Sequence, residues 1–135
     1  MRKIIITETD QQRVSAVIAE LRNSGHSPDD LDAVEYELAR AEVVQSENVP
    51  RNVVTMNSTV VLRDLETNQT AKYTLVYPWE ADISKGKISV FAPIGTAILG
   101  YQLGDEIEWE VPVGQKKYKI EHVLFQPERE GRFDL

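Results

Sequence analysis

Hydrophobic residues in the first third of the chain recur at the spacing of one helix face. Four of them are separated by three or four positions, namely Val14, Val17, Ile18 and Leu21. This period predicts an amphipathic helix that ends at 23–25, with Thr7 or Thr9 as its N-cap. Glu8 and Asp10 fall in the first turn, where the helix dipole favours acidic side chains.

A second helix is predicted after the break at Gly25 and Pro28. Its apolar positions follow a heptad-like seam, in Leu31, Val34, Leu38 and Ala41. Ser27 or Asp29 is its candidate cap. Two helices of about four turns each, joined by a loop of a few residues, predict a short antiparallel coiled-coil hairpin. A 16-residue helix spans only about 24 Å, so this hairpin has a short reach.

The pattern changes from helical to alternating after a polar connection at 45–52. Alternating and β-branched segments predict roughly five strands, at 59–63, 71–77, 88–91, 106–111 and 117–125. The segment 106–111 alternates most regularly, so its acids should face water while Ile107, Trp109 and Val111 face inward. In the last strand, Tyr118, Ile120 and His122 are expected to share one face.

A short helix is predicted between two of these strands. Pro93 can open it and Gly100 can close it, and three apolar residues fall on one face, namely Ile94, Ala97 and Ile98. The predicted fold class is α+β: a short antiparallel coiled-coil helical hairpin at 1–48, followed by an antiparallel sheet domain with one short helix at 49–135. The charged tail from 127 onward is expected to fray.

Composition indicates where in the cell a chain of this fold would be found. Hydrophobic residues make up 41% of the 135 residues and charged residues 27%, which is typical of a folded chain. No apolar run approaches the roughly 20 residues of a membrane helix, and the opening MRKIIITETD is far short of a signal-peptide core. The chain has no cysteine. We therefore expect a cytoplasmic protein with no membrane association.

The net charge of −7 is unevenly distributed. Residues 1–50 carry 5 Lys/Arg against 10 Asp/Glu, whereas residues 51–135 carry 10 against 12. An acidic chain is poorly suited to bind duplex DNA directly, because Lys and Arg supply most non-specific affinity for phosphate. We expect contact with nucleic acid only indirectly, through another protein.

The residues offer little support for catalysis. A nucleophile needs a base within hydrogen-bond reach, and this chain has only His26, in a predicted turn, and His122, on a predicted strand. Neither has a partner at the spacing of a zinc site. The glycines Gly95, Gly100 and Gly104 do not form a phosphate loop. We therefore predict no catalytic residue, no bound metal and no cofactor.

Acidic residues cluster at the predicted tip of the hairpin, in Asp29, Asp30 and Asp32. Carboxylates at the end of a projecting hairpin could complete a divalent-cation site that belongs to a partner. The same residues could simply cap the second helix and complement its dipole. The sequence leaves both interpretations open.

Several separated motifs resemble one known family. SVFAPIGTAILG at 89–100, followed by Gly104 and Asp105, resembles the C-terminal signature of Gre-type transcript cleavage factors. VPRNVVTMNSTV at 49–60 and TLVYP at 74–78 are similar to their smaller relatives, the regulators of nucleoside diphosphate kinase. The resemblance covers essentially the whole chain. It implies a short coiled coil joined to an FKBP-like domain.

The resemblance also implies a partner, bacterial RNA polymerase, which would be bound near its secondary channel with the sheet domain on the rim and the hairpin pointing inward. Pro93 matches the signature proline and would contact the polymerase, together with Ala92, Ile94 and Gly95. Ala92 stands where the cleavage factors usually have serine, and Phe91 where they are often polar. These departures place the chain with the regulators.

The implied function is a regulator that is not an enzyme. An acid that cannot reach the polymerase metal contributes nothing to cleavage, so a short hairpin predicts occupancy of the channel without strong cleavage stimulation and in competition with Gre-type factors. The chain would act as a monomer and affect the level of nucleoside diphosphate kinase indirectly; no residue suggests direct binding to that enzyme. Two alternatives remain: cleavage stimulation through the tip acids, and prolyl isomerase activity, suggested by the implied fold alone.

Overall fold

In the computed structural model, residues 4–25, 28–111, 114–132 and 135 are described. The side chains of 28–30 and 109–111 lie outside this description. Along the chain, two helices and a short strand pair come first and a five-stranded sheet follows. This order confirms the predicted α+β arrangement of N-terminal helices before a sheet, while the coiled-coil and FKBP-like details stay predictions.

Two helices open the fold. Helix α1 spans Glu8–Asn23 and helix α2 spans Pro28–Arg40. Thr7 is the N-cap of α1, because its hydroxyl accepts a 3.0 Å hydrogen bond from the Asp10 backbone N–H. The alternative cap, Thr9, lies inside the helix. Asp29, one of the two predicted caps of α2, likewise lies inside its helix, so that prediction is wrong. Ser27 and His26 fall outside the described residues, so Ser27 as the cap of α2 and the position of His26 remain predictions.

A two-stranded sheet lies at the base of the hairpin. Strand β1, Ile5–Thr7, runs parallel to strand β2, Glu42–Val44, with Ile5 opposite Glu42. Each strand has only three residues, too few to show an alternating pattern. Their pairing fixes where the chain enters α1 and where it leaves α2.

The larger sheet has the order β5-β4-β3-β7-β6. Its strands are β3 at Thr59–Asp64, β4 at Thr70–Val76, β5 at Lys87–Ser89, β6 at Glu106–Val111 and β7 at Gly114–Phe125. Helix α3, Pro93–Ile98, lies between β5 and β6 in the chain. The expectation of a purely antiparallel sheet is wrong at one edge, since β5 runs parallel to β4. The connection through two short 3-10 turns brings the chain back to the end of the sheet where β4 began.

The pairing of β7 with β3 is interrupted by bulges. Leu62 lies opposite Ile120, but Val61 lies opposite His122, so one additional residue of β7 is accommodated between them. The extra residue reverses which side chains face the core. Ile120 is buried while His122 is exposed. The prediction that His122 shares the inner face of Tyr118 and Ile120 is therefore wrong.

One hydrophobic core joins the helices to the sheet. The inner side chains of α1, α2 and α3 pack together with those of β3, β4 and β7, and the fully buried members include Val14, Val34, Leu62, Leu75, Ile98 and Ile120. Ile107 of β6 is buried and the flanking Glu106 and Glu108 are exposed, as the alternation predicts. The Trp109 side chain lies outside the described residues, so its inward position stays a prediction. The division at 1–48 and 49–135 remains a prediction.

The segment after β7 is anchored as far as it is described, contrary to the expected fraying. The Gln126 side chain is fully buried, and its Nε2 donates to the carbonyls of Pro50 at 2.7 Å and Val53 at 2.8 Å. Arg129 Nη1 donates to the Val123 carbonyl. Composition suggested a solvated tail, but the buried Gln126 amide, bonded to two backbone carbonyls, holds the start of this segment in place.

Candidate functional site

The lead-in to α3 is a tight turn held by its own polar groups. The Ser89 hydroxyl accepts the Phe91 N–H at 3.1 Å, and the Ser89 carbonyl accepts the Ala92 N–H at 3.0 Å. The Thr96 hydroxyl reaches back to the Val90 carbonyl at 2.7 Å. Pro93 then occupies the first turn of the helix, where its fixed φ and missing N–H have no cost.

The four residues predicted as a contact surface differ in exposure. Pro93 is exposed, Ala92 and Ile94 are half-buried, and Gly95 is buried. A Cβ on Gly95 would lie 2.0 Å from the Ser89 carbonyl oxygen, so only glycine lets the helix approach the turn this closely. The turn therefore presents Pro93 at its apex, and Gly95 acts by shaping it.

The segment that follows α3 is bonded to the helical hairpin. The Gly100 carbonyl accepts the Ile5 N–H at 3.1 Å, and the Gly100 N–H donates to the Val54 carbonyl at 2.9 Å. Arg40 Nη2, at the end of α2, donates to the Tyr101 hydroxyl at 2.9 Å. One short segment, which contains Gly100 and Tyr101, therefore connects the surface around Pro93 to the base of the hairpin.

A buried carboxylate provides a second link between the hairpin and the sheet. Asp10 is only 1% exposed, and its Oδ2 accepts the Met56 backbone N–H at 3.0 Å. Its Oδ1 accepts a 3.0 Å hydrogen bond from Arg13 Nη2. Burial raises the pKa of Asp10, and these two donors oppose that rise. An acid in a first helical turn ordinarily interacts with the helix dipole in solvent, so this buried role could not be recognised from the sequence.

Glu128 approaches the same junction from the last segment. Its Oε1 accepts a 2.7 Å hydrogen bond from the Thr55 hydroxyl. Burial raises the pKa of Glu128; the Thr55 hydroxyl lowers it, the nearby Asp10 carboxylate raises it and Arg13 lowers it. The net direction is upward, so the folded chain holds a proton on Glu128 more tightly than the unfolded chain does.

Glu128→Gln is expected to flatten the dependence of stability on pH in mildly acidic solution. The stability contributed by protonated Glu128 is fully present below the ordinary pKa of 4.5 and is lost as the pH rises through the folded pKa. Glutamine keeps the shape without the charge, so this loss disappears. Urea midpoints from about pH 4 to 7 measure it. Glu130→Gln, which removes an exposed carboxyl nearby, is the control; parallel curves for Glu128→Gln and the native chain would contradict the assignment.

Of the three acids predicted at the hairpin tip, only Asp32 has a side chain within the described residues. Asp29 and Asp30 lie in the first turn of α2, and their side chains fall outside the description. Asp32 is exposed and pairs with Arg22 of α1, its Oδ1 lying 2.6 Å from Nη2. Arg22 also binds Glu35 at 2.9 Å, and this hydrogen bond lowers the pKa of Glu35. Asp32 is therefore engaged in holding the two helices together.

Two features are absent from the described residues: a metal-binding cluster and a membrane-spanning helix. Within 4–25, 28–111, 114–132 and 135, no group of three or more His, Cys, Asp or Glu side chains is placed to hold a metal ion. In the same part of the chain, no helix has both the length and the apolar character required to cross a bilayer.

Two family signatures divide the chain between them. Residues 49–125 match the C-terminal family of the transcription elongation factors GreA/GreB. Residues 2–44 match the Rnk N-terminus family. The first match contains β3 to β7 and α3, and the second contains the hairpin with β1 and β2.

Individual relatives agree with both signatures. The regulator of nucleoside diphosphate kinase of Escherichia coli (strain K12) is 37% identical over 133 residues, which are 98% of this chain and 96% of that protein. Transcription elongation factor GreA of Dehalococcoides mccartyi is 42% identical over 92 residues, 68% of this chain and 59% of that protein. A solved GreA/GreB elongation factor from Nitrosomonas europaea shares 42% identity with a TM-score of 0.74, covering 93% of this chain and 100% of that one.

Proposed function

We propose that this chain, which belongs to the GreA/GreB family of transcription elongation factors and carries the Rnk type of N-terminus, is a regulator that binds bacterial RNA polymerase. The sheet domain would grip the rim of the secondary channel through Pro93 and its neighbours Ala92, Ile94 and Gly95. The observation that carries the proposal is the exposed Pro93, held at the apex of a turn that packs on strand β5. A rigid apolar projection of this kind favours protein recognition, because little conformational freedom is lost on binding.

The hairpin would enter the channel without bringing an acid to the polymerase metal. From Asp10, which is bonded to the sheet domain, to the end of α1 at Asn23 the helix extends about 20 Å. Asp32, at the far end, is already paired with Arg22. A carboxylate must come within about 2.1 Å of a magnesium ion to bind it, and a short hairpin with an occupied acid is poorly suited to do so.

Three further parts of the proposal follow from the position on the polymerase. The chain would compete with Gre-type factors for the channel, and it would meet DNA only through the transcription complex. It would alter the level of nucleoside diphosphate kinase through transcription, without touching that enzyme. It would act as a monomer in the cytoplasm.

Pro93→Ala is expected to weaken binding to core RNA polymerase by roughly tenfold, with little change in stability. Pro93 is exposed, so alanine removes the apex of the turn and leaves the packed face of α3 in place. Affinity is measured with immobilised core enzyme at low salt. Pro50→Ala, which also removes an exposed proline, should bind as the native chain does. Absence of binding by the native chain would refute the proposal.

An RNA-cleavage assay on backtracked elongation complexes distinguishes occupancy of the polymerase channel from stimulation of transcript cleavage. Adding the chain should release little short RNA by itself and should reduce the release that a GreA-type factor stimulates. If the chain stimulated release, and Asp29→Asn with Asp30→Asn abolished that effect, the acidic tip would reach the metal. The protein would then be a cleavage factor.

A further inference from the structure

The indole of Trp79 is held on one face and open to solvent on the other. Trp79 is 69% exposed and stacks on the ring of Tyr77, which is 4% exposed, with a centroid distance of 5.1 Å and an interplanar angle of 7°. The turn that carries the indole is closed by a 2.9 Å hydrogen bond from the Glu80 N–H to the Tyr77 carbonyl. A rigid aromatic ring loses little conformational freedom on binding, which is why tryptophan is enriched in the hot spots of interfaces.

A carboxylate accompanies this open ring. Glu80 follows Trp79 in the chain, is exposed, and lines the same cleft between α1 and the sheet domain. The ion pairs formed within the described residues do not include Glu80. Arg13, the cation in the lining of this cleft, is instead bonded to Asp10 Oδ1 at 3.0 Å. The electron-rich face of the indole and the carboxylate are therefore both available to a cation from outside.

Trp79 lies at the same end of the sheet as Pro93. Strands β4 and β5 run parallel with Val76 opposite Ser89, and the Val90 N–H donates to the Val76 carbonyl at 2.9 Å. Trp79 comes three residues after this pairing on one strand, and Pro93 comes four residues after it on the other. Parallel neighbours end at the same edge of a sheet, so the topology places both exposed residues along one edge.

We propose that Trp79 and Glu80 bind an arginine side chain of the partner protein, as a second contact beside Pro93. The guanidinium packs on the open face of the indole and donates to the Glu80 carboxylate. Arginine suits both groups, because its planar cation stacks on tryptophan and forms charge-assisted hydrogen bonds with carboxylates.

The chain contains an internal example of this chemistry. The Arg13 guanidinium lies over the Tyr77 ring, 5.4 Å from its centroid, while it is bonded to the Asp10 carboxylate. The net charge of −7 also favours a basic partner surface. This inference rests on the proposed function, since it takes RNA polymerase to be the partner that supplies the arginine.

Affinity of the full chain for immobilised core RNA polymerase tests the role of the indole. Trp79→Leu keeps an apolar side chain over Tyr77 and removes the aromatic face, so binding should weaken roughly five- to tenfold while the urea midpoint stays nearly unchanged. Ile83→Ala is the control. Ile83 is 74% exposed in the same connection, but it precedes the first residue of β5, so this variant should bind as the native chain does.

The salt dependence of the same affinity tests the carboxylate. Glu80→Gln should weaken binding roughly threefold at low salt and make the affinity less sensitive to salt, because one ion pair across the interface is lost. Glu66→Gln removes an exposed carboxylate from the turn between β3 and β4, at the opposite end of the sheet. This matched control should change neither the affinity nor its salt dependence.

The possible failures are distinguishable. If Pro93→Ala weakens binding and Trp79→Leu does not, this proposal is overturned while the polymerase-binding function stands. If Trp79→Leu weakens binding but Glu80→Gln leaves affinity and salt dependence unchanged, the contact is apolar and the assignment of an arginine is wrong. Absence of binding by the native chain would overturn both proposals.

Discussion

Replacing Gly95 by alanine is expected to destabilise the chain by at least about 3 kcal/mol and to abolish the proposed binding of RNA polymerase through the α3 surface. The alanine Cβ would lie 2.0 Å from the Ser89 carbonyl oxygen and 2.9 Å from its carbonyl carbon. Both are backbone atoms of β5, which is paired with β4, so neither can move aside as a flexible side chain could. Helix α3 and strand β5 would therefore have to move apart to accommodate the alanine side chain. A lower urea midpoint with an unchanged slope is the expected measurement.

Gly25→Ala is the matched control for this substitution. Gly25 has a φ of +80°, and a Cβ added there meets nothing within 4 Å. Alanine at this site therefore costs only the left-handed backbone penalty, about 1 kcal/mol. The difference between the two variants isolates the contact with Ser89. If Gly95→Ala costs no more than Gly25→Ala, the close approach of α3 to the turn is not what requires glycine.

Periodicity in the sequence was sufficient to find the helices and most strands. The apolar positions of α1 and α2 became the buried faces of those helices, and the alternation in β6 placed Ile107 inward. Each of these elements has a periodic pattern of apolar residues over five or more positions. Such a pattern can be recognised without knowing which element packs against it.

Elements defined by distant partners could not be found in this way. Strands β1 and β2 pair across more than thirty residues, and nothing in three residues indicates that partner. The parallel direction of β5 depends on how a ten-residue connection returns, and the bulge in β7 depends on the register of β3. These features are decided by packing, which acts after the local pattern has formed.

The same distinction between local patterns and distant partners applies to the residues of the candidate site. Pro93 and Gly95 were predicted from the family resemblance of the segment at 89–100, where proline suits a first helical turn and glycine permits a close approach. Asp10 was assigned to the helix dipole, because a first-turn acid has the same sequence context whether it is exposed or buried. Only the fold brings it to the Met56 N–H, forty-six positions along the chain.

Replacing Asp10 by alanine is expected to cost about 2–3 kcal/mol of stability. The Met56 N–H is fully buried and would lose its acceptor, and Arg13 would lose its carboxylate partner. Urea unfolding measures the cost. Asp32→Ala is the control: that carboxylate is exposed and its pair with Arg22 is at the surface, so its removal should cost less than about 1 kcal/mol.

The same substitution should loosen the hairpin relative to the sheet, and the proposed entry of the hairpin into the polymerase channel depends on this orientation. The chain has no cysteine, so Ala33→Cys on α2 and Thr67→Cys in the turn after β3 introduce its only thiols for a pair of spin labels. Pulsed-dipolar spectroscopy should give one narrow distance distribution for native Asp10 and a broader one for Asp10→Ala, under conditions where both remain folded. An unchanged width would mean that the segment after α3, through Gly100 and Tyr101, suffices to orient the hairpin.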